Sequence, residues 1–130
     1  DIGKVKVEAL AGHLKAINPE IELEIYNKKL QPFDIPVVFN EADLLLEAFD
    51  RAESKHWLID TWGETFPERP IIIGSGISGL GKTKKIKIKE SGNLHFCGDF
   101  VSDMSEGLCS ARVAVVANMQ ANIAIELICG

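Results

Sequence analysis

The fold is decided by one stretch of the chain, which runs from Ala42 to Gly74 and reads ADLLLEAFDRAESKHWLIDTWGETFPERPIIIG. It opens with a nearly continuous apolar run, residues 42–49, of the length and composition expected for a parallel strand covered on both faces. Residues 51–66 then have helical spacing, with large apolar side chains on one stripe: Trp57, Leu58 and Trp62. Ile71–Ile73 form the next buried strand. This alternation of strand, helix and strand indicates an α/β architecture.

The segments upstream of this stretch continue the alternation. Apolar residues at helical spacing predict a helix over residues 6–17, and Asn18-Pro19 ends it. Residues 21–25 alternate isoleucine or leucine with glutamate, which predicts a half-buried strand with one acidic face. A short helix is predicted near residues 34–40.

Downstream, a hairpin and a long helix are predicted. Residues 84–89 alternate lysine and isoleucine and should be extended, and residues 93–97 should pair back across Ser91-Gly92. Residues 112–129 form a long helix with one apolar stripe: Val115, Met119, Ile123 and Leu127. Taken together, the elements predict one three-layer α/β domain over residues 1–130, with a mainly parallel sheet and an antiparallel hairpin.

Composition and charge limit the class of partner. The chain has 130 residues, of which 46% are hydrophobic and 25% charged, enough for the core of a globular domain. Its net charge of −5 argues against nucleic acid and anionic lipid, because both attract a positive surface. Proteins and small molecules are therefore the expected partners, without nucleic acid or membrane.

The cysteines and the last helix bear on the compartment. Three cysteines, none of them in a CxxC pair, and the lack of a signal segment favour a reducing cytoplasm. Residues 113–129 are the most apolar stretch, but four polar side chains interrupt it: Asn118, Gln120, Asn122 and Glu126. We therefore expect a buried helix of a soluble protein here. Cys109, after a polar loop, is the only thiol that we would test as reactive.

The sharpest short motif is GISGLGKT, Gly76–Thr83, which satisfies the phosphate-loop pattern GxxxxGK[ST] and follows a buried strand. A phosphate loop needs a helix directly after it, because the amides at the helix N-terminus bind the phosphates. The alternating residues after Thr83 predict a strand instead. The overlapping GSGISG, Gly74–Gly79, lacks the following helix for the same reason. A structural glycine-rich crossover is favoured, and a phosphate-loop NTPase is the first alternative.

Asp50 stands at the C-terminal end of the first predicted parallel strand, just before a helix. Open α/β sheets bind their ligands at this end of the strands. A carboxylate there could cap the helix or hold magnesium on a nucleotide phosphate, and local sequence leaves both open.

Three blocks of the sequence resemble successive parts of the ubiquitin-activating-like superfamily: GKVKVEALAGHLKAINPEIELE, ADLLLEAFDRAESKHWLID and FCGDFVSDMSEGLCSARVAVVANMQANIAIELICG. The last block is more similar to the thiamine-pathway branch than to the molybdopterin branch. The resemblance implies a Rossmann-like domain that uses ATP to adenylate the C-terminal glycine of a ubiquitin-like sulfur carrier protein. It also implies a homodimer.

The resemblance assigns roles to two residues. Lys6 matches the lysine that contacts the ATP phosphates, and Asp50 matches the aspartate that organises Mg²⁺ and the adenylate. Both are therefore candidate catalytic and ATP-binding residues, and Asp50 is the candidate magnesium ligand, through the nucleotide. No zinc is expected, because the paired CxxC ligands of many relatives are missing.

Several expected features of the family lie upstream of Gly3: the nucleotide-binding strand-helix-strand unit, its glycine fingerprint and an arginine motif. We therefore expect the chain to be the C-terminal portion of a longer enzyme, and to be inactive alone. Arg51 replaces the asparagine of the molybdopterin enzymes, and Ser110-Ala111 replaces an expected Ala-Pro. The second alternative is a non-catalytic fragment retained for dimerisation.

Overall fold

The structure is a computed structural model that describes residues 6–48 and 52–130, without the side chains of Ala52 and Met104. Its contacts group the chain into two compact units, with the boundary between Gln31 and Pro32. A single domain over residues 1–130 stays a prediction.

The first unit contains one helix. The predicted helix is confirmed as α1, Lys6–Ile17, and Lys15 near its end donates a hydrogen bond to the carbonyl of Ile21. The predicted strand at residues 21–25 is wrong, because these residues are irregular. A strand needs a neighbour for its backbone hydrogen bonds, and the described part of this unit offers no second extended segment that pairs with it.

The second unit is built on a four-stranded sheet in the order β1-β2-β4-β3. Its strands are β1, Leu45–Glu47; β2, Ile71–Gly74; β3, Lys87–Ser91; and β4, Leu94–Gly98. The first three in spatial order are parallel, and β3 pairs antiparallel with β4 at the edge of the sheet. The mainly parallel sheet and the antiparallel hairpin are therefore both confirmed.

Helices cover both faces of this sheet. They are α2, Ile35–Val38, after a 3-10 turn at Pro32–Asp34; α3, Ala52–Thr65; and α4, Ser110–Cys129. Ile71 and Ile73 of β2 pack in one core cluster with Leu58 and Trp62 of α3. Ile72 points the other way, into a second cluster with α4. Because alternate side chains of β2 enter different clusters, the predicted three layers are confirmed.

Two predicted details of the strands differ. The strand predicted at residues 42–49 is shorter, and Leu46 on β1 is about half exposed because β1 is an edge strand. Lys84 and Lys85 lie in a single 3-10 turn, Thr83–Lys85, whereas Ile86 has an extended backbone and the strand β3 begins at Lys87.

The last helix is longer than predicted, and its predicted stripe is confirmed only in part. Ile123 is buried and Met119 packs against the core as predicted, whereas Val115 and Leu127 are exposed. The other buried apolar residues of the helix are Val116 and Ala124. By length and composition alone α4 is apolar enough to cross a membrane, so its polar residues do not exclude this. In the structure this helix packs on the sheet, and absence of a membrane stays a prediction.

Candidate functional site

The candidate site is the edge of the sheet at which the three parallel strands end. β1 ends at Glu47, β2 at Gly74 and β4 at Gly98, and the parallel pairing brings these ends together. Open α/β sheets bind ligands outside this end of their strands. Two clusters of charged side chains occupy it.

The first cluster joins β1 to α3. Lys55 Nζ donates hydrogen bonds to Glu47 Oε1 at 2.8 Å and Oε2 at 3.0 Å, and to the Gly74 carbonyl at 2.8 Å. The Glu47 side chain has no exposed surface. A buried carboxylate is tolerated when it is paired and hydrogen-bonded, so the ammonium of Lys55 stabilises the buried side chain of Glu47 at the end of β1.

A side chain of α4 completes the first cluster. Gln120 Nε2 donates to the carbonyl of Glu47 at 3.0 Å and to that of Ile72 at 3.3 Å. Its Oε1 lies so near Gly74 that a Cβ there would be 3.2 Å away. One amide therefore ties the ends of β1 and β2 to the helix layer.

Replacing Lys55 with methionine is expected to lower the free energy of unfolding by about 3 kcal/mol, because it removes the ammonium group that donates to both carboxylate oxygens of the buried Glu47. Chemical denaturation measures this loss. The matched control is Lys29→Met, at an exposed position, which should stay within about 0.5 kcal/mol of the parent. Equal stabilities of the two variants would show that the pairing with Lys55 is not needed.

The second cluster joins β4 to α4. Arg112 donates to the Asp99 carboxylate and to the carbonyl of Gly81, and the side chains of Arg112 and Asp99 are only 2% and 5% exposed. Burial acts to raise the pKa of Asp99, but hydrogen bonds from Ser102 and Val101 and the positive charge of Arg112 together lower it below its ordinary value. Asp99 is therefore a charged structural anchor rather than a proton donor.

The two loops beyond β2 and β4 are tied to each other. Asp99 N donates to the Gly76 carbonyl and Phe100 N to the Ser75 carbonyl, each at 3.0 Å. Gly98 has a φ of +141°, and a Cβ there would collide with the carbonyl oxygen of Ser75 and lie 2.7 Å from its carbon. Only glycine permits the loops to approach this closely.

The glycine-rich motif does not form a phosphate loop. Lys82 is exposed and has a left-handed backbone with a φ of 50°, and the helix after it is a 3-10 turn of three residues. The prediction that no helix begins at this point is wrong, because a 3-10 helix starts at Thr83. A turn this short offers neither the row of free amides nor the dipole of an α-helix, and the strand β3 follows it.

The structure describes one of the two residues assigned by resemblance. Lys6 is the first residue of α1 and is exposed, in the first unit. Asp50 lies outside the described residues, and in the sequence it stands between Glu47 of β1 and Ala52 of α3. Within residues 6–48 and 52–130, no group of three or more His, Cys, Asp or Glu side chains gathers in a way that could hold a metal ion.

Sequence reasoning missed the four residues of the two charged clusters. One signal was available, since Glu47 is the only charged residue between Leu44 and Phe49, and a charge in a buried strand requires a partner. The sequence does not identify Lys55 as that partner, because the two side chains come together only in the folded protein.

Comparisons with known proteins agree with this architecture. The ThiF family model matches residues 1–130. Over 82 residues the chain is 31% identical to the adenylyltransferase and sulfurtransferase uba4 of Aspergillus niger, covering 63% of this chain and 17% of that protein.

Among solved structures the chain is similar to TcdA, the E. coli tRNA N6-threonylcarbamoyladenosine dehydratase, with a TM-score of 0.68 and 13% identity over 95% of this chain and 66% of that one. The same dehydratase in complex with ATP gives a TM-score of 0.59 at 15% identity, over 95% and 67% of the two chains. At this identity the likeness shows the fold alone. The chain spans less than a fifth of the fungal relative and about two thirds of the dehydratase. With the family model matched from the first residue to the last, this chain belongs to the ThiF family.

Proposed function

We propose that this chain is part of an ATP-dependent adenylyltransferase that activates the C-terminal glycine of a ubiquitin-like sulfur carrier protein, in thiamine biosynthesis. The observation that carries the proposal is the family match over residues 1–130. The printed name of the fungal relative, an adenylyltransferase and sulfurtransferase, supports the same pairing of adenylation with sulfur chemistry. We further infer a homodimer in the cytoplasm.

The reaction requires positioned charge rather than a nucleophile supplied by the protein. A carboxylate oxygen of the carrier's terminal glycine attacks the α-phosphorus of ATP, and the bond to the leaving pyrophosphate breaks. Lys6 supplies positive charge for the phosphates, as a charge-assisted hydrogen-bond donor.

Asp50 is the residue that would hold Mg²⁺ together with the nucleotide phosphates. A carboxylate is the oxygen ligand that Mg²⁺ prefers, and one or two carboxylates plus phosphates complete most such sites. When bound, Mg²⁺ neutralises the charge that develops on pyrophosphate.

The dehydratase with a similar fold is named for a tRNA substrate, so nucleic acid is the main alternative to a carrier protein as the substrate. The net charge of −5 favours the protein substrate, because an acidic surface repels the phosphate backbone. The phosphate-loop NTPase is disfavoured because only a 3-10 turn of three residues follows Lys82 before the strand β3. A non-catalytic fragment is the outcome if no exchange occurs.

The test is carrier-dependent exchange of labelled pyrophosphate into ATP by the protein that contains this chain, with a panel of ubiquitin-like sulfur carriers ending in Gly-Gly. Asp50→Asn is expected to slow exchange on the order of a hundredfold, because a neutral amide is a poor magnesium ligand. Lys6→Ala is expected to slow it at least about tenfold.

Thr83→Ala separates this proposal from the phosphate-loop alternative. In a phosphate loop that hydroxyl binds magnesium, so its loss would abolish activity; here exchange should be nearly unchanged, because Thr83 is exposed in a 3-10 turn. Circular dichroism confirms folding of each variant. Normal exchange in Asp50→Asn together with collapse in Thr83→Ala would place the nucleotide at the glycine-rich loop instead.

A further inference from the structure

Positive charge is concentrated in one short segment of this acidic protein. Five of its 14 lysine and arginine residues lie within Lys82–Lys89, and that segment contains no aspartate or glutamate. We refer to these five lysines as the lysine patch: Lys82, Lys84, Lys85, Lys87 and Lys89. Against a net charge of −5, such a cluster creates a local positive potential of opposite sign to the rest of the chain.

The lysine patch is available to a partner. All five lysines are exposed. Lys89 lies over the ring of Phe100, with Nζ 5.4 Å from the ring centroid. Among the residues that the structure describes, the other four form no ion pair or hydrogen bond through their side chains. Within the described part of the chain these four ammonium groups are therefore open to a partner.

A pocket and three exposed aliphatic side chains adjoin the lysine patch. The pocket has a volume of about 350 Å³. It is lined by three lysines of the patch, by Val101 and Ser102, and by two acidic residues, Asp99 and Glu106, of which Asp99 is paired with Arg112. Leu80, Val101 and Leu108 are 75%, 86% and 56% exposed, and they stand on the loops beyond β2 and β4. Apolar anchors beside a charged rim are the usual composition of a protein-binding surface.

This surface is held in place and lies beside the candidate site. The hydrogen bond from Gly79 N to the Gly107 carbonyl, 2.8 Å, and that from Ser78 N to Ser102 Oγ, 3.2 Å, tie the two loops together. Lys87 pairs with Gly98, so the patch begins at the end of β4, on the same edge of the sheet as Glu47 and Gly74. A carrier docked here would have its tail close to the edge at which adenylation is proposed.

We propose that the lysine patch, with its aliphatic neighbours, is a docking surface for an acidic region of a protein partner. The proposal rests on the proposed function, which makes that partner the ubiquitin-like carrier. Charge complementarity between the lysine patch and the carrier would then determine which carrier is bound. A protein surface is favoured over RNA because the exposed apolar residues are aliphatic, and because the patch contains neither arginine nor a free aromatic ring for base stacking. Lysines along the edge strand β3 also discourage pairing with a second copy, since like charges would meet.

The test compares Lys85→Glu with a control of equal charge change at an exposed position, Lys29→Glu, in the pyrophosphate-exchange assay. The carrier is the panel member that gives the fastest exchange with the parent protein. In the patch variant the half-saturating carrier concentration should rise about tenfold at about 0.05 M salt, and the difference should shrink strongly at about 0.5 M salt. The maximal rate should stay within about twofold, and the control should match the parent.

Equal half-saturation of the patch variant and the control, with normal exchange, would refute the docking surface and leave the proposed function intact. Loss of affinity for poly(U) RNA in the patch variant, with unchanged carrier half-saturation, would assign the patch to nucleic acid instead. Lack of exchange by the parent with every carrier would refute the proposed function and this inference with it.

Discussion

Replacing Gly98 with alanine is expected to leave the protein largely unfolded at room temperature. The new Cβ would overlap the carbonyl of Ser75 in the loop beyond β2, and neither backbone can move without breaking the pairing of β2 with β4. The φ of +141° adds a strain that L-residues rarely tolerate. A loss of more than about 4 kcal/mol would consume most of the stability of a typical domain.

Thermal denaturation followed by circular dichroism measures this effect. The control is Gly63→Ala in α3, where no heavy atom lies within 4 Å of the added Cβ. Alanine is the better helix former, so this variant should be more stable than the parent by up to about 1 kcal/mol. A cooperative transition in Gly98→Ala within a few degrees of the parent would mean that the two loops do not approach as described.

The second large effect is expected at Arg112. Arg112→Met removes the partner of a buried carboxylate and a donor to the Gly81 carbonyl, and should lower the free energy of unfolding by about 3–5 kcal/mol. Asp99→Asn should cost less, because the amide keeps the shape and some of the hydrogen bonds of the carboxylate.

The pH dependence distinguishes the ion pair from simple packing. The pKa of Asp99 is lowered in the folded protein from an ordinary value of 3.8, so its contribution is fully present above that value and is lost as the pH falls through the lower folded pKa. The stability difference between the parent and Asp99→Asn should therefore be constant near pH 7 and shrink below about pH 4. Denaturation across this range measures it, and a difference that grows on acidification would contradict the pairing.

The helices and strands that could be predicted from the sequence are those whose local hydrophobic pattern matches their burial in the folded protein. Ile71–Ile73 and the stripe of α3 are apolar enough that only a buried position suits them. Residues 21–25 have an equally clear strand pattern, but a strand also requires a neighbour, which no local pattern supplies. In α4 the apolar residues surround most of the helix, so periodicity could not decide between Val115 and Val116.

The candidate site was predictable only in part, for a different reason. Asp50 and Lys6 were predicted from the family resemblance, which identifies positions in the sequence but gives no contacts between side chains. Glu47 and Lys55 are eight positions apart, and no helical or strand period brings such a pair together. Their contact exists because α3 folds back over β1.

The tie between the loops beyond β2 and β4 has a consequence for how this edge of the protein opens. The amides of Asp99 and Phe100 donate hydrogen bonds to the carbonyls of Gly76 and Ser75. Arg112 adds a second connection, because it donates to both Asp99 and the Gly81 carbonyl. Neither loop can leave its place while the other stays. The amides of both loops should therefore exchange with deuterium as one cooperative unit, at the rate of a shared opening, instead of fraying independently as surface loops usually do.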